Sequence, residues 1–379
     1  MVTRRGVLTL VGGGCVLAAV GTGGFVAANG PSRSARAPWR EAGQETEIRR
    51  RALSYAILAP NPHNRQPWRV RLDGDDALTL YCDLNRRLPA TDPYDRQIVI
   101  GHGTFLELLA LAAAEDGFGI EVTPFPEGED MATLDERPVA HVRFIKGGAE
   151  PNPLFGYTLA RRTNRNTFEA RDVDADALAA MLSSGNVHGV TASGCGNDAL
   201  AAQLRNLTWR AHSVEMTTDY TNQESVDLMR IGPKEVSANP DGLTLEGPMI
   251  GLGHLAGVVN REALSDPNSS ASQQGMAMFH GAAMSARAYA WMVNSGTTRA
   301  SQISAGRAYM RLALAAEREG LKVHPWSQSL QEYPEMAGLY REVHDLIGNG
   351  QRLQMLVRLG YAKPVIAAPR WPMDTHLIA

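Results

Sequence analysis

Residues 59–72 read APNPHNRQPWRVRL, and they crowd polar amides into a short loop. Asn61, Asn64 and Gln66 each carry both donors and an acceptor, while Pro60 and Pro62 fix φ and leave the loop little freedom. Such a segment is ordered before a ligand arrives and can meet a group with a mixed donor and acceptor edge. Immediately after it, Trp68, Val70 and Leu72 alternate with arginines, the period of a half-buried strand. A metal site has no such support. The cysteines are Cys15, Cys82 and Cys195, no C-x-x-C occurs, and the ten histidines form neither H-x-H nor H-E-x-x-H. Lysine and arginine total 37, of which four are lysine, so a lone arginine says little and only a cluster counts. One such cluster is Arg161-Arg162-Thr163-Asn164-Arg165.

The elements that must position these residues follow from periodicity. The 379 residues are 44% apolar with a formal net charge of −3, enough for one large or two fused domains and no basis for nucleic-acid binding. Residues 46–58 have helical spacing, strands are expected at 68–72 and 78–82 around an Asp-Gly turn, and a long apolar helix is expected over 103–116. Strands near 119–124 and 139–145 follow, and beyond Pro153 the chain turns largely helical, with an amphipathic stripe through Leu200, Leu204, Leu207, Ala211 and Val214. GTFLELLALAAAEDG (103–117) and GRAYMRLALAAEREG (306–320) share seven of fifteen residues. Either Ala/Leu-rich helices simply look alike, or the chain holds two related halves folded on each other.

The start of the chain puts Arg4-Arg5 before an uncharged stretch from Gly6 to Asn29. It resembles a twin-arginine export signal, with an uncleaved membrane anchor as the alternative. That route carries folded proteins, often with a cofactor inside, so it implies export to the periplasm or cell surface and contact with the twin-arginine translocase. The expected organisation is a signal or anchor over 1–30, a poorly ordered linker over 31–45, a first half over 46–150 and a second over 151–379.

Five motifs in order resemble the nitroreductase family, in particular the single-chain Acg-like FMN-binding oxidoreductases. They are the 59–72 loop, Arg161 to Phe168, Asp92-Pro93-Tyr94-Asp95-Arg96, Ile98 to Gly103, and the tail from Leu356 to Met373. The resemblance implies an α+β, nitroreductase-like fold, with an antiparallel central sheet wrapped by helices and two halves fused as a pseudo-dimer. It implies FMN as cofactor. Pro60, Asn61, Pro62 and Asn64 would meet the ring, and Arg161, Thr163, Arg165 and Arg370 would hold the phosphate, for which planar guanidinium forks are suited. A main-chain N–H at Ser327 or Gln328 would serve the flavin N5. Gln66, Trp68 and Trp326 read as structural, and Arg162 as a solvated charge. Glu224–Arg230 with Asp241–Leu243 would form a lid that either moves or seals the site.

Two functions remain open on these residues. One is an FMN-dependent oxidoreductase passing reducing equivalents to a small nitro-, quinone- or enone-like acceptor, with no side-chain catalyst. The other is a flavin-sequestering protein with little reductase activity. With no G-x-G-x-x-G turn and an exported location, the expected electron donor is a quinol or a redox partner protein.

Overall fold

The computed structural model describes residues 25, 26 and 28–379, so Arg4-Arg5 and Cys15 lie outside the described residues. From there the chain runs through one topology twice. Helix α1 (Ile48–Ala56), strands β1 (Trp68–Asp73) and β2 (Ala77–Cys82), helix α2 (Arg96–Glu115), and strands β3 (Phe118–Pro124) and β4 (Ala140–Lys146) make the first pass. The second pass uses α3 (Ala175–Gly185), β5 (Thr191–Cys195), a long insertion, β8 (Ala288–Asn294), α7 (Arg299–Arg318), β9 (Lys322–Pro325) and β10 (Arg352–Gly360). The insertion carries helices α4 (Ala199–Thr217), α5 (Asp219–Asp227) and α6 (Ser270–Met284), and a two-stranded parallel sheet of β6 (Met229–Ile231) and β7 (Leu243–Leu245).

The sheets repeat the same order. The first has the order β1-β2-β4-β3, with a further strand beyond β1, and the second β5-β8-β10-β9, so the two correspond strand for strand. The expected antiparallel sheet is thus present twice, once in each half. The extra strand β11 (Leu377–Ile378) lies parallel to β1, with Val70 opposite Leu377, so the end of the second half completes the sheet of the first.

Helices α2 and α7 form the seam between the halves. Each carries one copy of the LALAA segment, and the glycines that open the two copies face each other. A Cβ built on either Gly103 or Gly306 would lie 2.8 Å from the other's Cα and would collide with the Ile303 or Ile100 carbonyl. Only glycine lets the two backbones approach this closely. Further along the seam, Glu107 is fully buried and pairs with Arg307 at 2.8 Å, with Arg311, and with His188 at 3.2 Å. These partners hold its carboxyl down at about 2, overcoming the burial that would raise it. The seam is where the two readings of the LALAA similarity separate, because similarity of composition alone would not place the two segments face to face.

One expectation fails here. Residues 31–45 do not form a loose linker. Ser34–Arg36 and Pro38–Glu41 make short helical turns, Trp39 is buried, and its Nε1 donates to the Ala368 carbonyl at 2.8 Å. Arg36 pairs with Glu246 at 2.6 Å and donates to the Ala367 carbonyl. The Pro/Ser/Ala/Arg composition concealed this, since one indole ring buried against the tail is enough to order a short arm.

Candidate functional site

The amide-rich loop sits against α2, and α2 is shaped to receive it. A Cβ on Gly101 would come within 3.2 Å of the Pro62 ring and 3.3 Å of Asn61, and Thr104 Oγ1 donates to the Pro60 carbonyl at 2.6 Å. Within the loop, Asn61 Oδ1 accepts the Gln66 N–H at 2.7 Å. His63, Asn64 and Gln66 all have positive φ (45°, 54° and 50°), a conformation that non-glycine residues adopt only when their surroundings enforce it. Gln66 supplies that enforcement as expected. It is fully buried, donates to the Pro240 carbonyl at 2.8 Å and accepts the Trp371 N–H at 2.9 Å.

The loop forms one wall of a cavity of about 220 Å³. Pro60, Asn61 and Pro62 line it, as do Thr163 and Arg165 from the arginine cluster and Ser327 and Gln328 after β9. Seven of the expected site residues therefore converge from both halves, over a span of nearly 270 residues of sequence. The rest of the wall is largely apolar, with Met216, Met229, Leu243, Phe279 and Met355. The backbone N–H groups of Ser327 and Gln328 have no protein acceptor among the described residues, so both are available to a ligand.

At the arginine end, Arg165 lines the cavity with an exposed side chain, and the protein packed around it pulls its pKa below the usual arginine value. Arg161 is buried and, against expectation, does not line the cavity, while Tyr309, which does, feels both charges. Neither guanidinium makes an ion pair or a side-chain hydrogen bond among the described residues. Next to them, His63 Nδ1 is buried and unpaired. Burial and then the nearby Arg165 charge push the His63 pKa down to about 4.

Three expectations about this site need correction. Arg370 has no N–H left for a phosphate, because Nε donates to the Ile57 carbonyl and the two terminal nitrogens donate to Asn64 Oδ1, Pro369, Leu58 and Ala59. It is a brace that fixes the tail to the end of α1. Asn64 belongs to the same brace, with Oδ1 taken by Arg370 at 2.6 Å and Nδ2 donating to the Pro369 carbonyl at 3.1 Å, so its amide does not face the cavity. Arg162 is no solvated charge. It stacks on Trp39 with its guanidinium carbon 4.2 Å from the ring centroid, and burial lowers its pKa to about 10.

The expected lid lies over the cavity, with Met229 and Leu243 in its wall, and it is anchored at both ends. Glu224 accepts from the Ala90 and Thr91 backbone at 2.8 and 3.0 Å and from the Thr91 hydroxyl at 2.6 Å. Asp241 pairs with Arg65 at 3.1 Å, Arg86 at 3.5 Å and Arg230 at 2.7 Å. The DPYDR motif acts on the opposite wall. Arg96 is buried, donates to the Leu330 carbonyl at 2.7 Å and pairs with Glu332 at 3.1 Å, which holds the turn that carries Gln328 and Gln331.

The sequence reading missed the titratable pair His212 and Glu215 in the cavity wall. Both lie on α4 and interrupt its apolar stripe, and that interruption was the available signal. His212 packs against Phe279 and Trp326, with ring centroids 4.6 and 5.7 Å away, and neither ring nitrogen has a partner. Burial lowers its pKa to about 4.

The doubled α+β topology brings residues of both halves together in one cavity across the seam of a single chain. By sequence the chain is similar to several proteins of Mycobacterium tuberculosis. It is 27% identical over 340 residues to the protein named "Putative NAD(P)H nitroreductase Rv3131", covering 86% of this chain and 89% of that one. It is 31% identical over 137 residues to "Putative NAD(P)H nitroreductase acg", covering 36% and 40% of the two chains. No family model matches the chain. Similar solved structures include the FMN-dependent nitroreductase NfnB of Mycobacterium smegmatis, at 16% identity and TM-score 0.35 over 57% of this chain and 92% of that one. Another is a putative nitroreductase of Anabaena variabilis, at 11% identity and TM-score 0.43 over 81% and 82%.

Proposed function

We propose that the cavity binds FMN and that the chain is an FMN-dependent oxidoreductase, passing reducing equivalents to a small nitro-, quinone- or enone-like acceptor. One observation carries this reading. Arg165 lines the cavity and, like the buried Arg161 behind that lining, makes no ion pair among the described residues, with Glu317 the one carboxylate whose charge reaches Arg161, and a cation held against protein without a paired counter-charge is costly. A phosphate monoester in the cavity would supply the missing charge and acceptors for the Arg165 fork, with the buried Arg161 adding its charge from behind. Thr163 adds a hydroxyl, the Pro60–Pro62 loop would orient the ring, and the free N–H groups at Ser327 and Gln328 would donate to its edge. When bound, FMN supplies hydride chemistry, and the protein's part is to hold it, exclude water and admit the acceptor.

The same reading extends to export by the twin-arginine route and to a quinol or redox partner protein as electron donor. Arg4-Arg5 and the lack of a G-x-G-x-x-G turn support it. A flavin-holding protein is the competing reading, and the double anchoring of the lid is the observation on its side. Reoxidation of the reduced protein by a quinone separates the two, because a sealed flavin would react slowly and without saturation.

The direct test compares FMN with riboflavin, which lacks the phosphate. Flavin-depleted protein should bind FMN at least about tenfold more tightly, the effect of one charge-assisted hydrogen bond. Equal affinity would remove the arginines from the site.

A further inference from the structure

We propose that Glu215 is the proton donor to the acceptor reduced in this cavity. The proposal rests on the flavin reading above and adds to it a residue that touches substrate.

Glu215 lies on α4 and lines the cavity together with Ser327 and Gln328, and its carboxyl group is within hydrogen-bonding reach of the Gln328 side chain. The groups facing it are neutral or negative. From the turn after β9, Gln331 Nε2 donates to Oε2 at 3.1 Å, and the Gln328 side chain adjoins the carboxyl. From α5, Ser225 Oγ reaches Oε1 only at 3.5 Å, and Glu224 contributes a like charge. The Tyr333 hydroxyl lies close by, and His212 stands one turn back on α4 with both nitrogens unpaired. Among the described residues no arginine or lysine pairs with Glu215.

This environment suits a neutral carboxylic acid. The side-chain oxygens of Gln328 and Gln331 and the hydroxyl of Tyr333 are buried without a partner, so the surroundings hold spare acceptors that an O–H can serve. Burial lifts the Glu215 pKa to about 7, against the lowering bond from Gln331 and with help from Glu224. The group therefore holds a proton near neutral pH and can release it, as a general acid requires.

An acceptor that takes a hydride from the reduced flavin gains two electrons and one hydrogen nucleus, and it needs one further proton. In a quinone the proton goes to the carbonyl oxygen, and in an enone to the carbon next to the carbonyl. The Glu215 O–H bond breaks as that bond forms. The resulting carboxylate keeps its bonds from Gln331 and Ser225 until solvent reprotonates it.

Glu215→Gln keeps the shape and the acceptor but removes the proton. In the FMN-loaded, oxidised full chain, infrared difference spectra between about pH 5 and pH 9 should show a protonated carboxyl band that titrates near neutrality and is absent in the variant. In stopped-flow reoxidation by a quinone, the wild-type rate should fall as pH rises through about 7. The variant should be roughly a hundredfold slower and independent of pH over that range, with FMN affinity unchanged. A Glu215 that merely ties α5 to the Gln328 turn would leave the shape of the pH profile intact. If the variant binds FMN and keeps the wild-type rate and profile, the assignment of Glu215 is wrong while the flavin reading stands. If the wild-type protein takes up no FMN, both fall together.

Discussion

Four arginines that look alike in the sequence do separate work in the structure. Arg165 and Arg161 keep their donors unspent, Arg370 spends all of its donors on neighbouring oxygens, and Arg162 rests on an indole face. Arg165→Ala should therefore weaken FMN binding by about 1.5–3 kcal/mol with little change in melting temperature. Arg370→Ala should do the reverse. It strands the carbonyls of residues 57–59 in the interior and should lower the melting temperature by several degrees, with any loss of FMN following from that. A fluorescence titration and a thermal melt on the same two variants decide the matter. The cluster was legible because its members are neighbours in the sequence, whereas the role of Arg370 depends on oxygens some 300 residues away. Titration follows the same logic. His212 and His376 are held neutral by burial, with pKa values pushed down to about 4 from 6.5. The unfolded chain takes up their protons first, so stability present above pH 6.5 should be lost as pH falls toward 4. Melting temperature measured across that window should drop, and His212→Phe should make the drop shallower; a steeper slope would contradict the assignment.

Among the elements, those with strict periodicity were legible. The first hairpin and the stripe on α4 emerge where expected, whereas the long seam helix starts at Arg96, seven residues before the expected 103, and is buried on nearly every side rather than along one face. The lid was legible only as a loop-rich region. Its anchoring was not, since Glu224 and Asp241 find their partners on the first half of the chain. Asp241 balances three arginines at once, which makes it the sensitive point. Asp241→Asn should leave Arg65 short of a counter-charge and loosen the lid before anything else. The expected result is faster FMN release, by about tenfold or more, with the overall fold retained, since breaking a buried pair costs a few kcal/mol. Flavin release into an excess of apoflavodoxin would measure it. An unchanged rate would mean that the lid does not control access. The N-terminal arm was the clear failure at this scale. Its R-S-x-R-x-x-W spacing (Arg33 to Trp39) matches the R-T-x-R-x-x-F of Arg162 to Phe168, and each segment precedes the first helix of its half. Composition alone hid that correspondence.

At the scale of the molecule, duplication raises the question of how many ligands one chain should hold. Two halves related this way create two crevices across the seam, and a symmetrical pair of subunits would fill both. This chain has kept the charge for one. In the arm, Arg36 stands where Arg165 stands in the second half, but its guanidinium is spent on Glu246 and on the Ser32 and Ala367 carbonyls. In the loop between α3 and β5, the counterpart of the Pro60–Gln66 segment, no proline occurs, and Asn186 turns its oxygen to the Ala192 N–H at 2.8 Å. The insertion between β5 and β8 then places α4 and the lid over the crevice that retains the free arginines. On the proposed function, one half would supply the anion site and the other its scaffold, and one FMN per chain is the expected stoichiometry. The ratio of flavin absorbance to protein concentration after saturation and gel filtration measures this. A ratio near two would require Arg36 to leave Glu246, and Glu246→Gln should then raise occupancy further. With a single site, that substitution should loosen only the arm and leave the ratio at one.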